Sequence, residues 1–205
     1  MKDRDGVIVI GAGGHAKVAA AALEARGTEI IGFFDKNPAL KGQLILGREI
    51  RLQEEVEPVL ADYEAILAIG ENRVRQHLAD EMKPAGWHSA IHPTAWVHES
   101  ARIGKGVLIC AGAIVQPDAE IGDHAIINTG AIVEHDCKVG AFAHLAPSSC
   151  LGGDVQVEEG CFLGLGAKVI PGTRLGAWSI VGAGAAVIRN VASGAKVGGV
   201  PARPL

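Results

Sequence analysis

From Ile91 to Val187 every sixth residue is Ile, Val or Leu, without a break. The series begins Ile91, Val97, Ile103, Ile109, Val115 and ends Leu175, Val181, Val187. Four residues after each aliphatic stands a small or β-branched residue, such as Ala95, Ala113, Cys137, Cys161 or Thr173. Glycine often follows the aliphatic directly, as at Gly104, Gly122, Gly140 and Gly164. A period of six fits neither an α-helix nor a plain alternating strand. It is the repeat of a parallel β-helix, where each hexad supplies one short strand and one turn. The aliphatic side chain points inward. The residue four on lies two before the next aliphatic, so pleating turns it inward as well. Three hexads close one coil, and residues eighteen apart stack about 4.8 Å above one another.

The outward residue before each aliphatic sorts into three faces. One carries Arg102, Glu120, Lys138, Gln156 and Arg174, all polar, and should see water. Another carries Trp96, Ile114, Ile132, Cys150, Lys168 and Ala186, and the third Leu108, Ile126, His144, Phe162 and Ile180. Large apolar surfaces mark contacts, so two apolar faces and one wet face predict a homotrimer about a three-fold axis. His144 is the one histidine in its apolar row, a costly position without a partner or a task.

The first ninety residues follow a different pattern. Val7 to Ile10 reads as a short strand running into Gly11-Ala12-Gly13-Gly14-His15-Ala16-Lys17. A helix through Leu23 stops at Gly27, and Ile30 to Phe34 reads as a second strand ending at Asp35-Lys36. Ala65 to Ile69 is a third strand, closed by Gly70-Glu71-Asn72, and a second helix from Arg73 ends near Gly86. This is a βαβ unit with a Gly-rich first turn and an acid about 20 residues on, the pattern of a Rossmann-like nucleotide site. The length suits a mononucleotide or nucleotide-sugar better than a dinucleotide.

Composition narrows the classes. The chain has 205 residues and a formal net charge of −4, with no basic run, which argues against nucleic acid or an anionic membrane as partner. No apolar window is long enough to span a membrane, and Met1–Asp5 is charged rather than a leader, so a cytoplasmic protein is expected. The four cysteines lack paired metal spacing, and Cys137 and Cys161 fall on inward positions. No His-x4-His pair occurs among the histidines of the repeat region, so no metal is expected.

The hexad run resembles the left-handed β-helix of hexapeptide-repeat acyltransferases. Together with Gly-Ala-Gly-Gly-His-Ala-Lys, Phe-Phe-Asp-Lys-Asn and Ala-Ile-Gly-Glu-Asn ahead of it, the whole chain resembles the bacterial nucleotide-4-amino-sugar N-acetyltransferases, close to the sialic-acid O-acetyltransferases. The resemblance implies three segments: a nucleotide-sugar-binding α/β domain at 1–90, a left-handed β-helix acetyltransferase domain at 91–190 and a C-terminal acetyl-CoA loop at 191–205. Gly13, Gly14, His15, Asp35, Lys36 and Gly70 match positions expected to hold the sugar nucleotide. Glu134-His135-Asp136-Cys137 stands where relatives carry Glu-His-Glu-Cys, which makes His135 the implied base and Asp136 its acid, one methylene shorter than usual. His144, Leu165 and Ala183 match acetyl-CoA contacts, and Gly152-Gly153 is placed to offer oxyanion donors, with Gly153 an acetyl-CoA contact. Lys168, Arg189, Lys196 and Arg203 are candidates for the CoA phosphates. The expected reaction is acetyl transfer from acetyl-CoA to the 4-amino group of a UDP- or GDP-linked 4-amino-4,6-dideoxysugar by direct attack. The alternatives are O-acetylation of a sialic acid or another sugar hydroxyl, a nucleotide-sugar-binding scaffold, and a nicotinamide-dependent reductase.

Overall fold

A computed structural model describes residues 6–205, so the Met1–Asp5 stretch lies outside the described residues. β1 (Val7–Ile10) leads through the Gly-rich turn into α1 (Gly14–Ala25), and β2 (Ile30–Asp35) follows. Next come a hairpin of β3 (Leu44–Ile45) and β4 (Arg48–Leu52), a single turn α2 (Glu57–Leu60), β5 (Glu64–Leu67), α3 (Asn72–Glu81) and β6 (Gly86–Trp87). The sheet order is β3-β4-β2-β1-β5-β6, parallel except between β3 and β4. β1 and β5 are apolar nearly throughout because both faces of the sheet are covered. The chain order reverses at β1, so the crevice beyond the carboxyl ends of β1 and β5 is where such sheets bind ligands. α3 stops at Glu81 rather than near Gly86. Pro84 disfavours a helical Lys83, and Met82 is already extended at φ −85°, ψ 143°.

From Ala90–Ile91 onward the chain winds as a left-handed parallel β-helix of two-residue strands. Each strand pairs in parallel with the one eighteen residues on: Leu108 lies beside Ile126, Ile126 beside His144, and His144 beside Phe162. The inward series forms one continuous core, with Ile109, Val115, Ile127, Val133, Leu145, Leu151 and Leu163 all fully buried. Cys137 and Cys161 sit in it as free thiols. From Gly106 to Gly184 each turn has one left-handed residue three after the aliphatic, met by glycine at Gly112 or Gly130 and by Asp118, His124, Asp136, Phe142 and Trp178 elsewhere. At Gly122 the next coil passes so close that a Cβ would lie 2.6 Å from the Ala141 nitrogen. The last strands, Lys196–Gly198 and Arg203–Pro204, form an antiparallel hairpin that closes the top.

One of the three outer faces does not fare as the sequence predicts. Leu108, Ile126 and His144 are buried within the single chain. Leu108 and Ile126 share one apolar cluster with Ala12, Ala16, Ala19 and Ala20 of the α/β unit. That unit, not a neighbouring copy, covers the row, which corrects its assignment to a subunit seam. Only its upper part, Phe162 and Ile180, stays partly open. On the second face Trp96 is 49% exposed, and Ile114, Ile132 and Cys150 are half-buried, so this face remains an uncovered apolar stripe.

Arg75 and Asn72 on α3 lock the halves together. Arg75, 1% exposed, donates to the carbonyls of His124 (2.8 Å), Phe142 (2.7 Å) and Ile69 (2.8 Å) and to Asn72 Oδ1 (3.0 Å). Asn72 Nδ2 donates to the carbonyls of Gly160 and Cys161. The clamp thus bridges three successive coils. Burial lowers the Arg75 pKa to about 10, which leaves the guanidinium charged near neutral pH.

Candidate functional site

A cleft of about 640 Å³ opens at the switch point of the sheet. Gly13, Gly14, His15, Asp35, Lys36 and Gly70 all line it, together with Ala68, Arg73, Val74, His77 and Glu81. Gly11 adopts φ +102°, and a Cβ there would meet Ile69 at 2.9 Å, so only glycine lets the turn pass the end of β5. Gly13 is the N-cap of α1 and supplies no side-chain cap, and the space beside Gly13 and Gly14 is open. Uncapped amides at the positive end of a helix form a phosphate seat. Asp35 Oδ2 accepts from the Ala12 amide at 2.8 Å and Oδ1 from the Asn37 amide at 2.8 Å. The carboxylate therefore ties the end of β2 to the Gly-rich turn and gives the turn its shape.

His15 lines the cleft, and His144 packs behind it, the ring centroids 5.9 Å apart. His144 is 8% exposed. Its Nδ1 lies 3.1 Å from the Gly70 carbonyl and its Nε2 3.1 Å from Asn128 Nδ2. Asn128 Oδ1 accepts from the Thr129 amide at 2.8 Å, so its Nδ2 is the end that donates. His144 is thus the Nδ1–H tautomer with its acceptor nitrogen occupied. Burial lowers the pKa of both His144 and His15 to about 4. Both are neutral at pH 7, and His144 has no free lone pair to act as a base. His15 Nε2 is buried without a hydrogen-bond partner.

The second cluster lies on another edge of the β-helix, at the turn after the Ile132–Val133 strand. Asp136 takes the left-handed turn position at φ 61° and bends its carboxylate back to His135 Nδ1, 2.7 Å away. The shorter acid therefore reaches the imidazole. That hydrogen bond, ahead of any other cause, raises the His135 pKa above its ordinary value. With Nδ1–H held by Asp136, Nε2 keeps the free lone pair. The ring lies over Gly153 one coil on, where a Cβ would stand 2.6 Å from Nε2. Of the two expected oxyanion donors, the Gly152 amide is already bonded to the Val169 carbonyl at 2.9 Å, since the ladder needs it. The Gly153 amide makes no hydrogen bond to a described residue. Cys137, next in sequence, points into the core, and burial pushes its thiol pKa up to about 11, which removes it as a nucleophile.

Within one chain the two clusters remain apart. Leu165, 60% exposed, and Ala183 stack on a third edge, after the Phe162–Leu163 and Ile180–Val181 strands. His144 joins the cleft residues rather than these two. Sequence reasoning missed Arg75, Asn128 and Trp178. Asn128 and Trp178 occupy turn positions that accept many residue types, and Arg75 looks like any polar helix residue until the fold buries it.

Comparison with known proteins places these features. Residues 6–82 match the family model described as the PglD N-terminal domain, and residues 76–180 match the GMPPB C-terminal domain. The crystal structure of PerB from Caulobacter crescentus, in complex with CoA and GDP-perosamine, is 43% identical. It covers 98% of this chain and 97% of its own, with a TM-score of 0.90. The acetyltransferase domain of PglB from Neisseria gonorrhoeae, in complex with acetyl coenzyme A, is 32% identical, with 98% and 99% covered and a TM-score of 0.90. A UDP-N-acetylbacillosamine N-acetyltransferase from Bacillus subtilis is 42% identical over 114 residues. That match spans 51% of each chain, about half the length of the relative.

Proposed function

The chain belongs to the nucleotide-amino-sugar N-acetyltransferases of the hexapeptide-repeat superfamily, and from that premise we propose how it works. It transfers acetyl from acetyl-CoA to the 4-amino group of a UDP- or GDP-linked 4-amino-4,6-dideoxysugar. The observation that carries this reading is the end-to-end correspondence with an enzyme crystallised with CoA and GDP-perosamine.

Residues 1–90 hold the nucleotide, with the phosphates at the Gly13–Gly14 amides and Asp35, Lys36, His15 and Gly70 around them. Residues 91–190 carry the transfer chemistry, and the 191–205 loop helps hold acetyl-CoA. His135 Nε2 takes a proton from the amino group as its nitrogen attacks the thioester carbonyl. The carbon–sulfur bond then breaks, and the imidazolium returns the proton to the CoA sulfur. Asp136 fixes the ring and stabilises its charged form. Gly153 gives the ring its place and has a free amide for the oxyanion. Leu165 and Ala183 contact acetyl-CoA from the neighbouring edge, and Lys168, Arg189, Lys196 and Arg203 meet its phosphates. His144 serves from the floor of the cleft, as a neutral group at the acetyl-accepting end.

Cleft and base lie on different edges, so a complete site takes the base from a second copy. The uncovered Trp96–Ile114–Ile132–Cys150 stripe supports a homotrimer that supplies it. Both substrates are phosphorylated metabolites, which fits a cytoplasmic enzyme. The test is a thiol-release assay with acetyl-CoA against a panel of UDP- and GDP-linked amino sugars, with sialic acid and other sugar hydroxyls alongside. Release with an amino sugar supports the reading; release only with hydroxyl acceptors overturns it in favour of O-acetylation.

A further inference from the structure

We propose that Arg73, held on the ring of Trp178, binds the sugar-side phosphate of the nucleoside diphosphate; this rests on the nucleotide reading of the cleft given above. Two helices begin at this cleft, and they differ. The first turn of α3 is closed by its own acid: the Glu71 carboxylate accepts from the Arg73 amide at 3.2 Å and the Val74 amide at 2.6 Å. The first turn of α1 is open. A diphosphate therefore seats one phosphate on α1, and that helix end supplies only about half a positive charge. The second phosphate needs a side-chain cation.

The charged side chains along the cleft narrow the choice. Asp35 is tied to backbone amides through both oxygens, and Glu81 pairs with His77 at 3.2 Å. The cations are Lys36, at the end of β2, and Arg73, on the β5 side. Among the described residues the Arg73 guanidinium has no carboxylate partner. It lies 4.1 Å over the Trp178 ring. Trp178 takes a left-handed turn position at φ 58° and lies flat over Gly160, where any Cβ would collide with the indole. Stacking fixes the guanidinium plane while leaving its edge N–H groups free for a phosphate.

Position then decides which phosphate. Arg73 lines the cleft and also a second groove of about 250 Å³ with Gly70, Phe162, Trp178 and Ile180. That groove leads from the cleft onto the β-helix beside Phe162, the strand neighbour of His144, which stands at the proposed acetyl-accepting end. The sugar must run in this direction, so the phosphate beside Arg73 is the one bonded to the sugar. Lys36, at the opposite end, is left for the nucleoside side.

The experiment is titration calorimetry of GDP, GMP, UDP and UMP with the full-length protein and its Arg73→Gln, Arg73→Lys and Trp178→Leu variants. A monophosphate lacks only the sugar-side phosphate, so it reports the fold, the nucleoside site and the nucleoside-side phosphate. Arg73→Gln should weaken the diphosphate that binds by about tenfold or more, and its monophosphate by less than about twofold. Arg73→Lys should recover part of the loss, and Trp178→Leu should show the same selectivity at smaller size. Equal weakening of diphosphate and monophosphate, or a diphosphate affinity unchanged by Arg73→Gln, overturns the proposal while the nucleotide site stands. If the wild-type protein binds none of the four, the nucleotide reading of the cleft falls and takes this assignment with it.

Discussion

Replacing His124 by phenylalanine should remove an acid-sensitive point from the junction between the two halves. The imidazole is 5% exposed, stacks on Phe142 at 5.2 Å with 6° between the planes, and meets the edge of Trp87 at 4.8 Å. Its Nδ1 has no hydrogen-bond partner. Burial, helped by the Arg75 charge and opposed by Asp123 and Asp80, lowers its pKa to about 4. Between the ordinary value of 6.5 and that figure the unfolded chain binds a proton that the native chain does not. Stability is therefore whole above the unfolded pKa and falls as pH drops through this window, by about 1.4 kcal/mol per unit. From pH 7.5 to 5 the loss due to His124 is about 2 kcal/mol. Phenylalanine suits the site, because Phe142 occupies the same turn position one coil on at φ 58°, against 56° for His124. His144 titrates in both proteins and cancels. Urea unfolding at the two pH values should show the wild type losing about 2 kcal/mol more than His124→Phe. Equal losses would refute the idea that a proton is excluded here.

His135→Ala should lower turnover about 100- to 10,000-fold with acetyl-CoA affinity unchanged, and near-full activity at pH 7 would place the base elsewhere. Asp136→Asn removes the carboxylate that raises the His135 pKa, so the acidic limb of kcat/KM should move to lower pH. A limb that stays put would show that this histidine does not control the rate. Ile126→Asp buries an unpaired charge under the α/β unit and should cost roughly 3–5 kcal/mol in urea unfolding. Ile132→Asp, on the open stripe, should instead reduce the mass seen by light scattering to that of a monomer while circular dichroism stays unchanged.

The hexad repeat was legible because every coil solves the same packing problem, so one pattern recurs without exception from Ile91 to Val187. The cleft was legible for a similar reason: Gly11, at φ +102° and pressed against Ile69, answers a steric demand that few other residues meet. What covers an apolar row was not. Leu108 and Ile126 look the same in sequence whether a second copy or the chain's own first ninety residues lies over them. The deciding residues, Arg75 and Asn72, act through backbone carbonyls, and a carbonyl acceptor leaves no mark on residue type. The β3–β4 hairpin escaped notice because β3 has only two residues and β4, Arg-Glu-Ile-Arg-Leu, is mostly charged.

Exposure is the strongest physical argument for the proposed sharing of the site between copies. The side chains of His135 and Asp136 are 62% and 60% exposed in the single chain. An ion pair this open is screened by water and contributes little. General-base catalysis by such an imidazole would also leave the developing oxyanion at Gly153 in bulk solvent, where amide donors are weak. The cleft has the opposite character. The two buried histidines there are held neutral with pKa values near 4, which makes them weak bases, and one has both ring nitrogens at partners. Each cluster lacks what the other has. Packing the open Trp96–Ile132 face against a second copy covers the edge that begins where that face ends, at His135. Assembly of the proposed homotrimer would then supply the water exclusion that the reaction requires. Dilution to monomer should therefore abolish turnover while leaving nucleotide binding to the cleft intact, since every residue that lines the proposed diphosphate seat comes from one chain.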